Sequence, residues 1–128
     1  MTTVAVDFDD TIAPWGPLFD LDPPFRGVAD AMTALRDAGY RIVILTSRLS
    51  PAWWEEAHFK FDSPTPEVFG SRNARYVEDY LRYWQIPFDS ITSEKIKAEV
   101  YFDDRAVQVD PGLLANEIAV WLEDNTWT

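Results

Sequence analysis

The stretch VAVDFDDTI, residues 4–12, sets three carboxylates into four positions directly behind an apolar run. Residues 3–8 have the make-up of a short buried strand ending near Asp7. Asp9 and Asp10 follow where a loop should begin. Crowding like charges at one strand end costs electrostatic energy unless something compensates. The rest of the chain shows what that compensation is for.

A second stretch has the same character. In AEVYFDD, residues 98–104, another apolar strand ends on the carboxylate pair Asp103 and Asp104. Between the two lies YRIVILTSR, a buried strand with apolar residues Ile42 to Leu45 that runs into Thr46, Ser47 and Arg48. The intervening segments alternate with these strands. RGVADAMTALRDAG (26–39) carries Val28, Met32 and Leu35 at helical spacing, with Gly39 as a stop. A helix over 71–84 has Tyr76, Val77, Tyr80, Leu81 and Trp84 as its apolar stripe. PFDSI (87–91) reads as a short strand or turn, and VQV (107–109) as another short strand. PGLLANEIAVWLED (111–124) closes the chain as an amphipathic helix with Pro111 near its start. Residues 13–25, with four prolines, form a loop, and 51–70 mix aromatics with prolines around one short helix at 52–60.

Strand–helix alternation of this kind predicts an α/β fold. The expected form is a Rossmann-like three-layer sandwich with a mostly parallel central sheet, right-handed crossovers and helices on both faces. In such sheets the functional crevice lies beyond the carboxyl ends of the strands. All three polar clusters then face one rim. At 128 residues the chain is expected to be a single domain over 1–128.

Composition narrows the function classes. The net charge of -11, from 22 acidic against 11 basic residues, opposes a polyanion, so nucleic acid is disfavoured as a partner. No apolar run approaches the roughly 18 residues that span a membrane. The N-terminus lacks the basic and apolar regions of a signal peptide, which predicts a cytoplasmic protein. With no cysteine there are no disulfides and no thiolate metal sites.

Carboxylates converging on a polar rim suit a hard divalent cation such as Mg²⁺, which takes one or two protein carboxylates and leaves room for water and phosphate. One aspartate can attack phosphorus to give an aspartyl-phosphate. A second, two residues along and on the same side of the extended chain, can protonate the leaving oxygen and later activate water. Groups at Thr46, Arg48 and Lys95 can hold the phosphoryl oxygens.

The order DFDDT (7–11), ILTSR (44–48), a lysine, and VYFDD (100–104) resembles the haloacid dehalogenase superfamily of phosphohydrolases. The resemblance covers about residues 3–106. It implies Asp7 as nucleophile and Mg²⁺ ligand, and Asp9 as general acid/base that binds metal through its backbone carbonyl. It further implies Thr46 as a phosphoryl contact and Asp104 as the principal metal ligand of the later pair, with Asp103 assisting. The motif lysine is Lys95 or Lys97, with spacing favouring Lys95; KIKA lacks the proline that often follows this lysine in the family. Thr11, Ser47 and Arg48 complete the set as candidate substrate contacts, although Thr11 can instead order the turn and Arg48 can pair with a nearby acid. The spacing between motifs leaves no room for a full cap domain. The chain thus resembles a capless member, with 51–70 or an oligomeric partner supplying any lid.

The function these readings imply is Mg²⁺-dependent hydrolysis of a small phosphorylated metabolite, such as a nucleotide or sugar phosphate. The alternatives are an end-processing enzyme like the polynucleotide 3'-phosphatases, whose Ser-Gly-Arg is similar to Thr46–Arg48, and a phosphate-binding member without turnover. A phospho-accepting receiver domain is rejected by motif order, because its acceptor aspartate ends a middle strand and precedes its Thr and Lys. His58, the sole histidine, is assigned to packing or the surface. Trp53 and Trp54 are assigned to loop packing, and Trp84, Trp121 and Trp127 to core or terminal packing.

Overall fold

A computed structural model describes residues 2–18, 20–50, 66–94, 96–98, 100–103, 107–108 and 114–125; the side chains of 66–69, 103, 107–108 and 124–125 lie outside the description. Five strands and three helices are present among these residues: β1 (Thr3–Asp7), α1 (Val28–Asp37), β2 (Arg41–Leu45), α2 (Pro66–Tyr83), β3 (Ser90–Thr92), β4 (Val100–Asp103), β5 (Val107–Gln108) and α3 (Leu114–Asn125). A single 3₁₀ turn, Ser47–Leu49, follows β2. The strands form one sheet in the order β3-β2-β1-β4-β5, and every neighbouring pair is parallel. The fold is Rossmann-like α/β, and no cap domain is present among the described residues.

The central strand explains the run of apolar residues in the sequence. Val4, Ala5 and Val6 are all fully buried, as expected for a parallel strand covered on both faces. Val4 and Val6 register with Ile42 and Ile44 of β2 and with Val100 and Phe102 of β4. Together they meet Val28, Met32 and Leu35 of α1, Val77 and Leu81 of α2, and Leu114 and Ile118 of α3 in one core. Trp121 closes this core, packing edge-on to Phe102 and tilted against Tyr40, in keeping with its expected structural role.

Helix α1 stops where glycine permits it. Gly39 takes φ +92, and its N–H donates to the Arg36 carbonyl while Tyr40 N–H donates to that of Leu35. A side chain at this left-handed position would be strained. The short β3 is pinned to β2 by Asp89, whose carboxylate accepts from Ile42 N–H at 2.7 Å and whose own N–H donates to the Ile42 carbonyl at 2.8 Å.

Helix α2 departs from the sequence expectation in two ways. It begins at Pro66, five residues before the expected start. Gly70 looks like a breaker, yet it sits inside the helix where a Cβ would lie 3.2 Å from the Leu49 carbonyl oxygen. The glycine allows the helix to press against the 3₁₀ turn. The buried line of the helix is Asn73, Val77 and Leu81, whereas Tyr76 stands on its exposed edge. Of the expected lid segment 51–70, residues 66–70 belong to α2, while its remainder, the expected short helix at 52–60, and His58, Trp53, Trp54 and Trp127 lie outside the described residues. No helix of the described residues is long and apolar enough to cross a membrane.

Candidate active site

Parallel pairing brings the carboxyl ends of β1, β2 and β4 to one edge of the sheet. Asp7 ends β1 and pairs with Leu45 of β2, so Thr46 follows at the level of Phe8, whose N–H donates to the Leu45 carbonyl at 2.9 Å. On the other side, β1 and β4 are in register through Val6 and Phe102. One further step sets Asp7 level with Asp103. The sequence expectation that these strand ends share a rim holds for Asp7, Thr46 and the backbone of Asp103.

Beyond Asp7 the chain turns sharply. The Phe8 carbonyl accepts from the N–H groups of Thr11, Ile12 and Ala13, and Asp10 adopts a left-handed φ of 58. Aspartate tolerates this conformation better than most residues. Its carboxylate accepts from Trp15 N–H at 2.9 Å, which ties the turn to the following loop. Within the turn Thr11 is buried and donates its hydroxyl to Asp7 Oδ2 at 3.3 Å. Thr11 therefore orients the Asp7 carboxylate.

Asp9 is held from the neighbouring strand. Thr46 Oγ1 donates to Asp9 Oδ2 at 3.4 Å, and Arg48 Nε donates to Asp9 Oδ1 at 2.9 Å. The Arg48 Nη2 atom lies 2.8 Å from the same Oδ1 and donates to the Gly16 carbonyl at 2.7 Å. The ring of Trp15 covers the guanidinium with 3.9 Å between Cζ and the ring centroid. Arg48 is only 2% exposed. Of the two readings open from sequence, pairing with an acid is the one this arrangement has.

The local backbone dictates that placement. Thr46, in extended conformation, caps the 3₁₀ turn by accepting from Arg48 N–H at 3.2 Å. From α2, buried Asn73 donates its side-chain amide to the Arg48 carbonyl at 2.6 Å. Ser47 is exposed at the rim. Asn73, Trp15 and the Gly16 carbonyl were not marked by sequence reading. Asn73 left one signal, a polar residue four and eight positions before Val77 and Leu81 on an apolar helix line.

The remaining candidates are placed less completely. Lys97 is exposed in an irregular stretch before β4, while Lys95 and Asp104 lie outside the described residues, as does the side chain of Asp103. Among the described residues no group of three or more His, Cys, Asp or Glu side chains is gathered to hold a metal ion. The expected donors that are described, the Asp7 carboxylate and the Asp9 backbone carbonyl, are oxygens, and the register carries Asp103 to the end of the adjacent strand. Such hard donors fit a divalent cation of the Mg²⁺ type.

No family model and no curated protein matches the chain. Among solved structures, a structural-genomics target from Vibrio cholerae is similar, with a TM-score of 0.58 and 24% identity. The match covers 97% of this chain and 98% of the other. At that identity the likeness speaks for the shared fold.

Proposed function

We propose that this chain is a Mg²⁺-dependent phosphomonoester hydrolase of the haloacid dehalogenase type, acting in the cytoplasm on a small phosphorylated metabolite such as a nucleotide or sugar phosphate. The observation that supports this most directly is the meeting of Asp7, Asp9 and Thr46 at the carboxyl ends of adjacent parallel strands, with Thr46 hydrogen-bonded to Asp9. The motif order, in which two acidic strand ends flank a Thr-bearing one, supports the same reading.

In this reading the chain's own groups divide the work. The Thr11 hydroxyl orients the Asp7 carboxylate through Oδ2, and Asp7 attacks phosphorus to form an aspartyl-phosphate as the ester oxygen departs. Asp9 relays a proton to that oxygen through Oδ2, the oxygen that its pairing with Arg48 through Oδ1 does not engage. Asp9 then accepts a proton from the water that hydrolyses the acyl-phosphate, which restores both aspartates. On substrate binding the Thr46 hydroxyl turns from Asp9 Oδ2 to the phosphoryl group and, with the Lys95 ammonium, stabilises the phosphoryl oxygens. Mg²⁺, held by Asp7, the Asp9 carbonyl, Asp103 and Asp104, would neutralise charge between the Asp7 carboxylate and the phosphoryl group.

The test is a substrate screen across nucleotides, sugar phosphates and phosphorylated DNA ends, each with Mg²⁺ and with chelator. Metal-dependent phosphate release from a small metabolite is the expected result. Release confined to DNA ends would move the assignment to nucleic-acid end processing.

A further inference from the structure

We propose that Arg48 is a positioning residue that acts through Asp9 and does not itself bind the phosphate of the substrate. The inference rests on the phosphatase reading above and deepens it, because an arginine at the end of a phosphate-facing strand would ordinarily be taken for a phosphate ligand.

The geometry of the guanidinium argues for the positioning role. Its Nε and Nη2 both reach Asp9 Oδ1, at 2.9 and 2.8 Å. The same Nη2 donates to the Gly16 carbonyl, and the Trp15 ring lies across its face. With the residue 2% exposed, this enclosure leaves the guanidinium turned toward the protein and away from an incoming dianion. The main chain of Arg48 is fixed as firmly. Its N–H donates to Thr46 Oγ1, and its carbonyl accepts from Asn73 Nδ2 at 2.6 Å.

The turn after β1 holds the side chain of Arg48, and helix α2 holds its main chain, so both converge on one residue whose target is the proton-transfer carboxylate. A planar fork suits this position. It can grip a carboxylate oxygen and a main-chain carbonyl while lying flat against an indole, which a lysine ammonium cannot do.

The experiment compares wild type, Arg48→Lys and Asn73→Ala in three measurements. These are kcat and KM for an aryl phosphate with Mg²⁺, the Kd for inorganic phosphate by calorimetry, and the ¹⁵N-resolved Nε–H signal of Arg48 in wild type as phosphate is added. Misplacing Asp9 should lower kcat about 100-fold in Arg48→Lys and less in Asn73→Ala. KM and the phosphate Kd should stay within about threefold of wild type, because ground-state binding is untouched. The Arg48 Nε–H signal should be slow to exchange with water and should not move with phosphate. A tenfold or greater rise in KM and Kd with kcat preserved would overturn the proposal, as would a phosphate-induced shift of that signal. A wild-type protein that neither releases nor binds phosphate would overturn the phosphatase reading first, and the role assigned to Arg48 with it; the wild-type assay alone separates that failure from the others.

Discussion

The side-chain amide of Asn73 lies 2.6 Å from the carbonyl oxygen of Arg48, a buried hydrogen bond that links helix α2 to the turn after β2. Asn73 is 1% exposed and occupies a line otherwise filled by Val77 and Leu81. Its polarity serves the Arg48 carbonyl, to which it donates across the gap between helix and turn. Asn73→Ala should lower stability by about 1–3 kcal/mol, the usual effect of orphaning a buried polar group. Urea unfolding of the two proteins measures this, and a change below about 0.5 kcal/mol would mean that water replaces the amide.

The pairing of Asp9 with Arg48 predicts an asymmetry between two substitutions at one site. Asp9→Ala leaves a buried guanidinium without its carboxylate and should cost about 3–5 kcal/mol. Asp9→Asn keeps an oxygen in place to accept from Arg48 and should cost clearly less. Thermal melts of both variants make the comparison. Equal losses would show that the carboxylate charge, absent from both variants, carries the interaction and that the oxygen kept by asparagine contributes nothing.

Tyr80 predicts behaviour at alkaline pH. Burial, assisted by the negative charge of Asp22, raises its hydroxyl well above the ordinary value of 10.0. The hydroxyl donates to the Asp22 carbonyl at 2.7 Å, and the ring packs edge-on to Phe8. Because the native state holds this proton more tightly than the unfolded chain, the contribution to stability is fully present below pH 10. It is lost as pH rises above 10 toward the raised value. Tyr80→Phe should be slightly less stable at neutral pH through loss of the hydrogen bond, and its stability should fall less steeply above pH 10. Denaturant midpoints between pH 8 and 11 check this; parallel curves would contradict it.

These particulars also mark what a reader of the sequence can and cannot see. The strands declare themselves because a parallel sheet buries both faces of its central member, which makes Val4–Val6 and Ile42–Ile44 continuous apolar runs. Their parallel direction follows from the alternation with helices, whereas their order and the register that gathers Asp7, Asp9 and Thr46 come from the structure. The start of α2 falls in the stretch 51–70, where aromatics mixed with prolines mask a helical period, and Gly70 there answers to the nearness of the Leu49 carbonyl. Nor could spacing decide the partner of Arg48. Asp9 lies 39 residues away in sequence, and choosing between an acid and a substrate required the turn geometry that brings Trp15 and Gly16 around the guanidinium.

The proposed attack of Asp7 on phosphorus is open to one decisive assay, hydrolysis of an aryl phosphate by wild type and Asp7→Asn, each with Mg²⁺ and with chelator. Metal-dependent release is expected from the wild type and none above background from Asp7→Asn, with unchanged melting behaviour in the variant. Release by a folded Asp7→Asn at a rate near that of wild type would contradict it.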